Sequence, residues 1–171
     1  MPSRRFLESD DAVRTVADLR DDLVERGSRI GPDAPISELI ELLLARPQSR
    51  VVHVVDAEGK LLGTVSWRSV LRAAGARHGV RDERMFSLLR LFRELRHEHA
   101  RDLMRPPTAV TLGETLRDVL LKMERFHEND LPLVDGERRL LGEVNGMRVM
   151  RLALETFRET EAALQGARGE G

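Results

Sequence analysis

The stretch VVDAEGKLLG, residues 54–63, returns 79 positions later as LVDGERRLLG, residues 133–142, with six of the ten positions identical. Working outward, each copy is preceded by the same pattern. RIGPDAPISELIELLLARP (29–47) and AVTLGETLRDVLLKMERFH (109–127) both pass from an extended start through a turn into an apolar-periodic helix. Ile36, Leu39, Ile40 and Leu43 share one helical face, and Leu116, Val119, Leu120 and Met123 share the matching face 80 positions on. The apolar runs Val51–Val55 and Leu131–Val134 predict strands. Each is turned by the quoted phrase into a second strand, Leu61–Val65 or Leu140–Val144. Gly59 suits a left-handed turn position. The second turn carries its glycine earlier, at Gly136, which predicts a different turn type. A closing helix follows in each copy, SWRSVLRAAGARHG or NGMRVMRLALETFRETEAAL. The chain thus reads as an α+β fold, with a strand–helix–strand–strand–helix unit written twice. One unit of about 60 residues buries too little surface to stand alone, so the two should pack together.

Two segments lie outside the repeat. Ala12 to Glu25 reads as an N-terminal helix. In the inter-unit segment, Met85, Leu88, Leu89, Phe92 and Leu95 line one helical face. The boundaries expected are an N-terminal segment (1–15), a first unit (16–78), a linking helix (79–100), a second unit (101–164) and a disordered glycine-rich tail (165–171).

Composition narrows the functional classes. The chain has no cysteine, which removes thiolate catalysis, disulfides and cysteine-ligated zinc. No apolar run approaches a membrane span and no signal-peptide core opens the chain, so a cytoplasmic protein is expected. Arginine supplies 26 of the 28 basic residues, yet the formal net charge is −1. The basic residues form no one-faced stripe and aromatics are few, which argues against a nucleic-acid partner. Glu94, His97, Glu98 and His99 do not supply the duplicated motif of a di-metal bundle. With no serine–histidine–acid grouping either, the chain does not read as an enzyme.

The order IGPDAPISELIELL, VVHVVD, LLGTVSWRS in the first copy, and DLMRPPTAVTLGETLRDVLLKM, NDLPLVD, LLGEVNGMR in the second, resembles a tandem pair of CBS (cystathionine β-synthase) domains over roughly residues 16 to 157. The resemblance implies two pseudo-symmetric β-α-β-β-α units with a cleft between them. It also implies a regulatory ligand such as AMP, ADP, ATP or S-adenosylmethionine, with no obligatory cofactor. A homodimer formed through the helices and a separate effector protein complete the expectation.

The candidate ligand-binding positions are Ile30, Val51, His53, Ser66, Arg68 and Ser69 in the first unit, and Val110, Pro132, Asn145 and Arg148 in the second; the resemblance implies them except for Arg68, which its charge in a first helical turn adds. The family places a phosphate-binding Ser/Thr at 66 and 145, and a ribose-binding aspartate three residues later. Here Ser69 and Arg148 stand in place of both aspartates. A serine makes one weaker bond to a ribose than a carboxylate does, and an arginine can only donate. Ser66 and Asn145 equally suit helix N-caps, worth about 1 kcal/mol. Arg68 and Arg148, in first helical turns, oppose the helix dipole at about 0.3–1 kcal/mol unless an anion or a neighbouring acid reverses the sign. Trp67 reads either as a stacking platform or, more readily, as buried packing. His53 reads either as a base-contacting, pH-sensitive group or as a packed histidine with one satisfied nitrogen. Two functions follow: a sensor of a small anionic, adenosine-containing nucleotide that modulates a partner, or a dimerisation and interaction scaffold without nucleotide.

Overall fold

The computed structural model describes residues 14–76, 95 and 97–169, and its element order is the predicted repeat. The first unit comprises β2 (Arg29–Ile30), α2 (Ile36–Ala45), β3 (Val51–Val55), β4 (Leu61–Ser66) and α3 (Trp67–Ala76). The second comprises β5 (Val110–Thr111), α5 (Leu116–Phe126), β6 (Asp130–Val134), β7 (Leu140–Asn145) and α6 (Gly146–Gly169). The apolar stripes seen in the sequence face inward: Ile36 and Leu39 enter one core, Leu116 and Val119 the other. β2 runs parallel to β3 and β5 parallel to β6, while each repeated phrase forms an antiparallel hairpin.

The hairpins meet across the pseudo-twofold. Leu61 N donates to the Arg138 carbonyl and Leu140 N to the Gly59 carbonyl, at 2.9 and 3.0 Å. Val55, Leu61, Val134 and Leu140 close over one another as a small apolar cluster. The two turns share one geometry, contrary to the difference expected from their glycines. In each, the side chain of the first aspartate accepts two backbone N–H groups, those of Glu58 and Lys60 or of Glu137 and Arg139. That side chain sets the turn, so the left-handed position falls on Gly59 in one copy and on Arg138 (φ 65°) in the other.

The leading segments pack crosswise. Ala12–Glu25 is not one helix: among its described residues only α1 (Arg20–Leu23) is helical. Thr15 and Asp18 close a hydrogen-bonded box before it, and β1 (Val24–Glu25) pairs antiparallel with β7. Val16, Leu19 and Leu23 are buried in the core of the second unit, although the sequence boundaries place them in the first. In return Leu95 and Ala100 enter the first unit's core, beside α4 (Ala100–Leu103), and Arg105 bridges Thr64 at the edge of β4. Each of these buried valine and leucine side chains contributes about 1.5–3 kcal/mol, so each unit depends on the segment leading into the other. The glycine closing each repeated phrase makes room for this exchange. A Cβ on Gly142 would fall 2.6 Å from the Glu25 carbonyl oxygen, and one on Gly63 would fall 2.9 Å from that of Arg105.

The tail expected to be disordered from residue 165 is helical as far as Gly169, because α6 continues its backbone hydrogen bonding through the end of the repeat. The remainder of the linking-helix face, Met85, Leu88, Leu89 and Phe92, lies outside the described residues.

Candidate functional site

Among the described residues a cleft opens at the start of each closing helix. Cleft one, about 340 Å³, joins the β4–α3 junction of the first unit to residues 126–130 of the second. Cleft two, about 660 Å³, joins the β7–α6 junction to Pro47, Gln48 and Arg50 of the first unit and to Glu25. They are related by the repeat: each takes a helix start from one unit and the segment between the first helix and the following strand from the other.

In cleft one, Ser66 caps α3, its Oγ accepting from the Ser69 N–H at 3.2 Å and lying 3.1 Å from Ser69 Oγ. Ser69 is buried beneath this contact. Trp67 is 40% exposed rather than buried, because it sits on the cleft wall with the Arg68 guanidinium 5.8 Å from its ring centroid. Arg50, Arg72 and Arg105 also line the cleft. None of these four arginines makes an ion pair among the described residues. The opposing acids are Glu128 and Asp130.

In cleft two, Asn145 performs the capping role, its Oδ1 accepting from Met147 N at 2.9 Å. Its amide nitrogen donates to Asp130 Oδ1 at 2.5 Å and to the Gln48 carbonyl at 3.1 Å, tying the units together. Arg148 takes the neighbouring-acid alternative. Its Nε lies 2.5 Å from Glu25 Oε1, and its Nη1 donates to the Asp22 carbonyl at 3.0 Å.

The structure therefore brings Val51, Ser66 and Arg68 to cleft one, and Asn145 and Arg148 to cleft two. It carries Ile30 and Val110 into the two apolar cores, and buries Pro132 on β6. His53 is wholly buried, with Nε2 3.0 Å from Glu143 Oε2 and Nδ1 unpartnered among the described residues. The packed-histidine reading is the one observed. Its partner was not anticipated, although a glutamate amid the apolar strand LLGEVN is the available signal. Ser49 Oγ lies 3.0 Å from the same Glu143 oxygen, so one carboxylate oxygen on the second unit's sheet holds two residues of the first unit.

Asp130 borders both clefts. Burial removes its water and raises its carboxyl from 3.8 to about 6, against the Arg50 backbone N–H, which holds it down. The Glu143 carboxylate adds to the rise and the Asn145 amide opposes it. A folded-state value above the unfolded one means that the fold holds the proton more tightly. Asp130's contribution is then fully present below 3.8 and is lost as pH rises through about 6. Across that window it amounts to no more than about 3 kcal/mol. Asp130→Asn should remove the dependence. In urea titrations at stepped pH, the variant should gain on the parent between about pH 4 and 6.5, whereas a constant difference would contradict the assignment.

Among the described residues no group of three or more histidine, aspartate or glutamate side chains could hold a metal ion, and no helix is long and apolar enough to cross a membrane. No curated protein matches the chain. Among solved structures, CBSX2 from Arabidopsis thaliana, a CBS-pair protein, is 24% identical with a TM-score of 0.69, over 85% of this chain and 97% of that one. CBSX2 in complex with AMP is 25% identical with a TM-score of 0.64, over 84% and 98%. The CBS domain pair of protein MJ0100, in complex with 5′-methylthioadenosine and S-adenosyl-L-methionine, is 20% identical with a TM-score of 0.62, over 82% and 95%. The CBS domain model matches residues 15–76 and 100–155, the two halves that the repeat and the paired clefts already define, and the chain belongs to the CBS domain family.

Proposed function

We propose that the chain is a non-catalytic, cytoplasmic regulatory module that binds a small anionic, adenosine-containing nucleotide in cleft one and passes the event to a separate partner protein. The observation carrying this reading is the set of four arginines around Ser66 with no ion-pair partner among the described residues, since charge-assisted bonds to phosphate are the strong ones available there. AMP bound to CBSX2, and S-adenosylmethionine bound to the MJ0100 pair, support the ligand class. Ligand held between the units would favour one relative orientation of them, and the partner reads that population shift. A second copy docks on α6, where Met147, Met150, Leu154 and Phe157 form an exposed apolar stripe at helical spacing. The absence of both ribose-binding aspartates favours the second reading, a dimerisation and interaction scaffold without nucleotide. Ligand-dependent thermal stabilisation separates the two. AMP should stabilise the parent more than adenosine does, and Arg68→Ala should weaken AMP much more than adenosine. Equal losses for the two compounds would remove the phosphate role.

A further inference from the structure

The crosswise leading segments place one residue at the lip of each cleft, and the two residues carry opposite charge. Glu25 and Arg105 are equivalent by the repeat: their backbone carbonyls press on Gly142 and Gly63, the matching glycines of the two hairpins. Arg105 adds positive charge to cleft one, whereas Glu25 puts a carboxylate into cleft two. That carboxylate is held from both sides, by Arg148 Nε at 2.5 Å on one oxygen and by Arg46 Nη2 at 3.3 Å on the other. The two arginines come from different units and close on a single planar oxyanion, which is the arrangement a phosphate or carboxylate ligand needs. All three side chains are only partly buried, so the site opens to solvent.

We infer that Arg46 and Arg148 form a second anion site, for a phosphate monoester, which Glu25 occupies as a tethered internal anion. The two clefts are then unequal. Cleft one is open and cationic, while cleft two must give up Glu25 before it can accept phosphate. This rests on the proposed reading of the clefts as anion sites, but its test does not depend on cleft one binding anything.

The experiment is calorimetric titration of the full chain with AMP, with adenosine as the uncharged control. Glu25→Gln keeps the size and removes the charge; Glu25→Thr, a good strand residue, serves where the amide variant does not fold. Either variant should take up one more AMP per chain than the parent, at an affinity about tenfold or more above any second site of the parent. Adding Arg148→Ala to Glu25→Gln should abolish the extra site. A parent that binds no AMP, beside a Glu25→Gln variant that binds one, would remove the proposed function of cleft one and leave this inference standing. A variant whose AMP isotherm matches the parent's in both stoichiometry and affinity, or a new site that takes adenosine as tightly as AMP, would overturn it.

Discussion

Replacing Glu143 with alanine should cost about 3–5 kcal/mol of stability, the range for breaking a buried pair by removing one partner. Glu143 and His53 are both fully buried, and Glu143 Oε2 is the shared acceptor for His53 Nε2 and Ser49 Oγ. Without it the imidazole has neither nitrogen partnered among the described residues, because Nδ1 already lacks a partner. The Ser49 hydroxyl retains, among the described residues, only the Val51 carbonyl, at 3.2 Å. The surroundings cannot relax freely: Gly27 packs so closely that a Cβ there would fall 2.7 Å from the imidazole Cδ2. The cost measures the stranded partner, not the net worth of the pair, and Glu143 Oε1 is itself unpartnered among the described residues. Substituting both members, as His53→Leu with Glu143→Met, should therefore recover most of the loss. Urea denaturation of the two singles and the double gives the coupling. An alanine variant within about 1 kcal/mol of the parent would show that the pair does not hold the units together.

Gly142→Ala should be the costliest single-methyl addition among the hairpin glycines, at about 1–3 kcal/mol. The added Cβ meets the Glu25 carbonyl oxygen at 2.6 Å and Val24 Cγ1 at 2.8 Å, so β1 must move away from β7. Val16, Leu19 and Leu23 stay anchored in the second core, which confines the damage to the short strand. Gly63→Ala should cost less. One of its two nearest neighbours at 2.9 Å is the Met104 thioether, which can turn aside. Gly136→Ala, with nothing within 4 Å, is the control and should change stability by no more than about 0.5 kcal/mol. Equal effects at Gly142 and Gly136 would contradict the close approach of the leading strand.

The repeat was legible because periodicity is a local property: Ile36–Leu43 and Leu116–Met123 announce their inward faces without a partner. The crosswise packing was not, since α1 spans four residues and β1 two, too short to carry a period. Read by propensity alone, Ala12–Glu25 looks helical; the edge of β7, more than a hundred residues away, makes its end a strand. The second hairpin misled for a related reason, because a carboxylate accepting two N–H groups outweighs the cost of an arginine at positive φ. Helix starts, and with them Ser66 and Asn145, could be placed from spacing. Their surroundings could not. Arg148 finds Glu25 and His53 finds Glu143 only through the packing of the two units, and no spacing rule encodes either pair.

The central claim, that cleft one reads a phosphorylated adenosine compound, is tested most directly by thermal unfolding of the parent chain with AMP, ADP, ATP and S-adenosylmethionine in turn. A ligand present at a hundred times its dissociation constant adds about 2.7 kcal/mol, which raises the Tm of a chain this size by about 5 °C or more. At least one of the phosphorylated compounds should produce that rise, and Arg68→Ala should reduce it. No rise with AMP, ADP or ATP at millimolar concentration would contradict the account, and no rise with any of the four would leave the chain a scaffold.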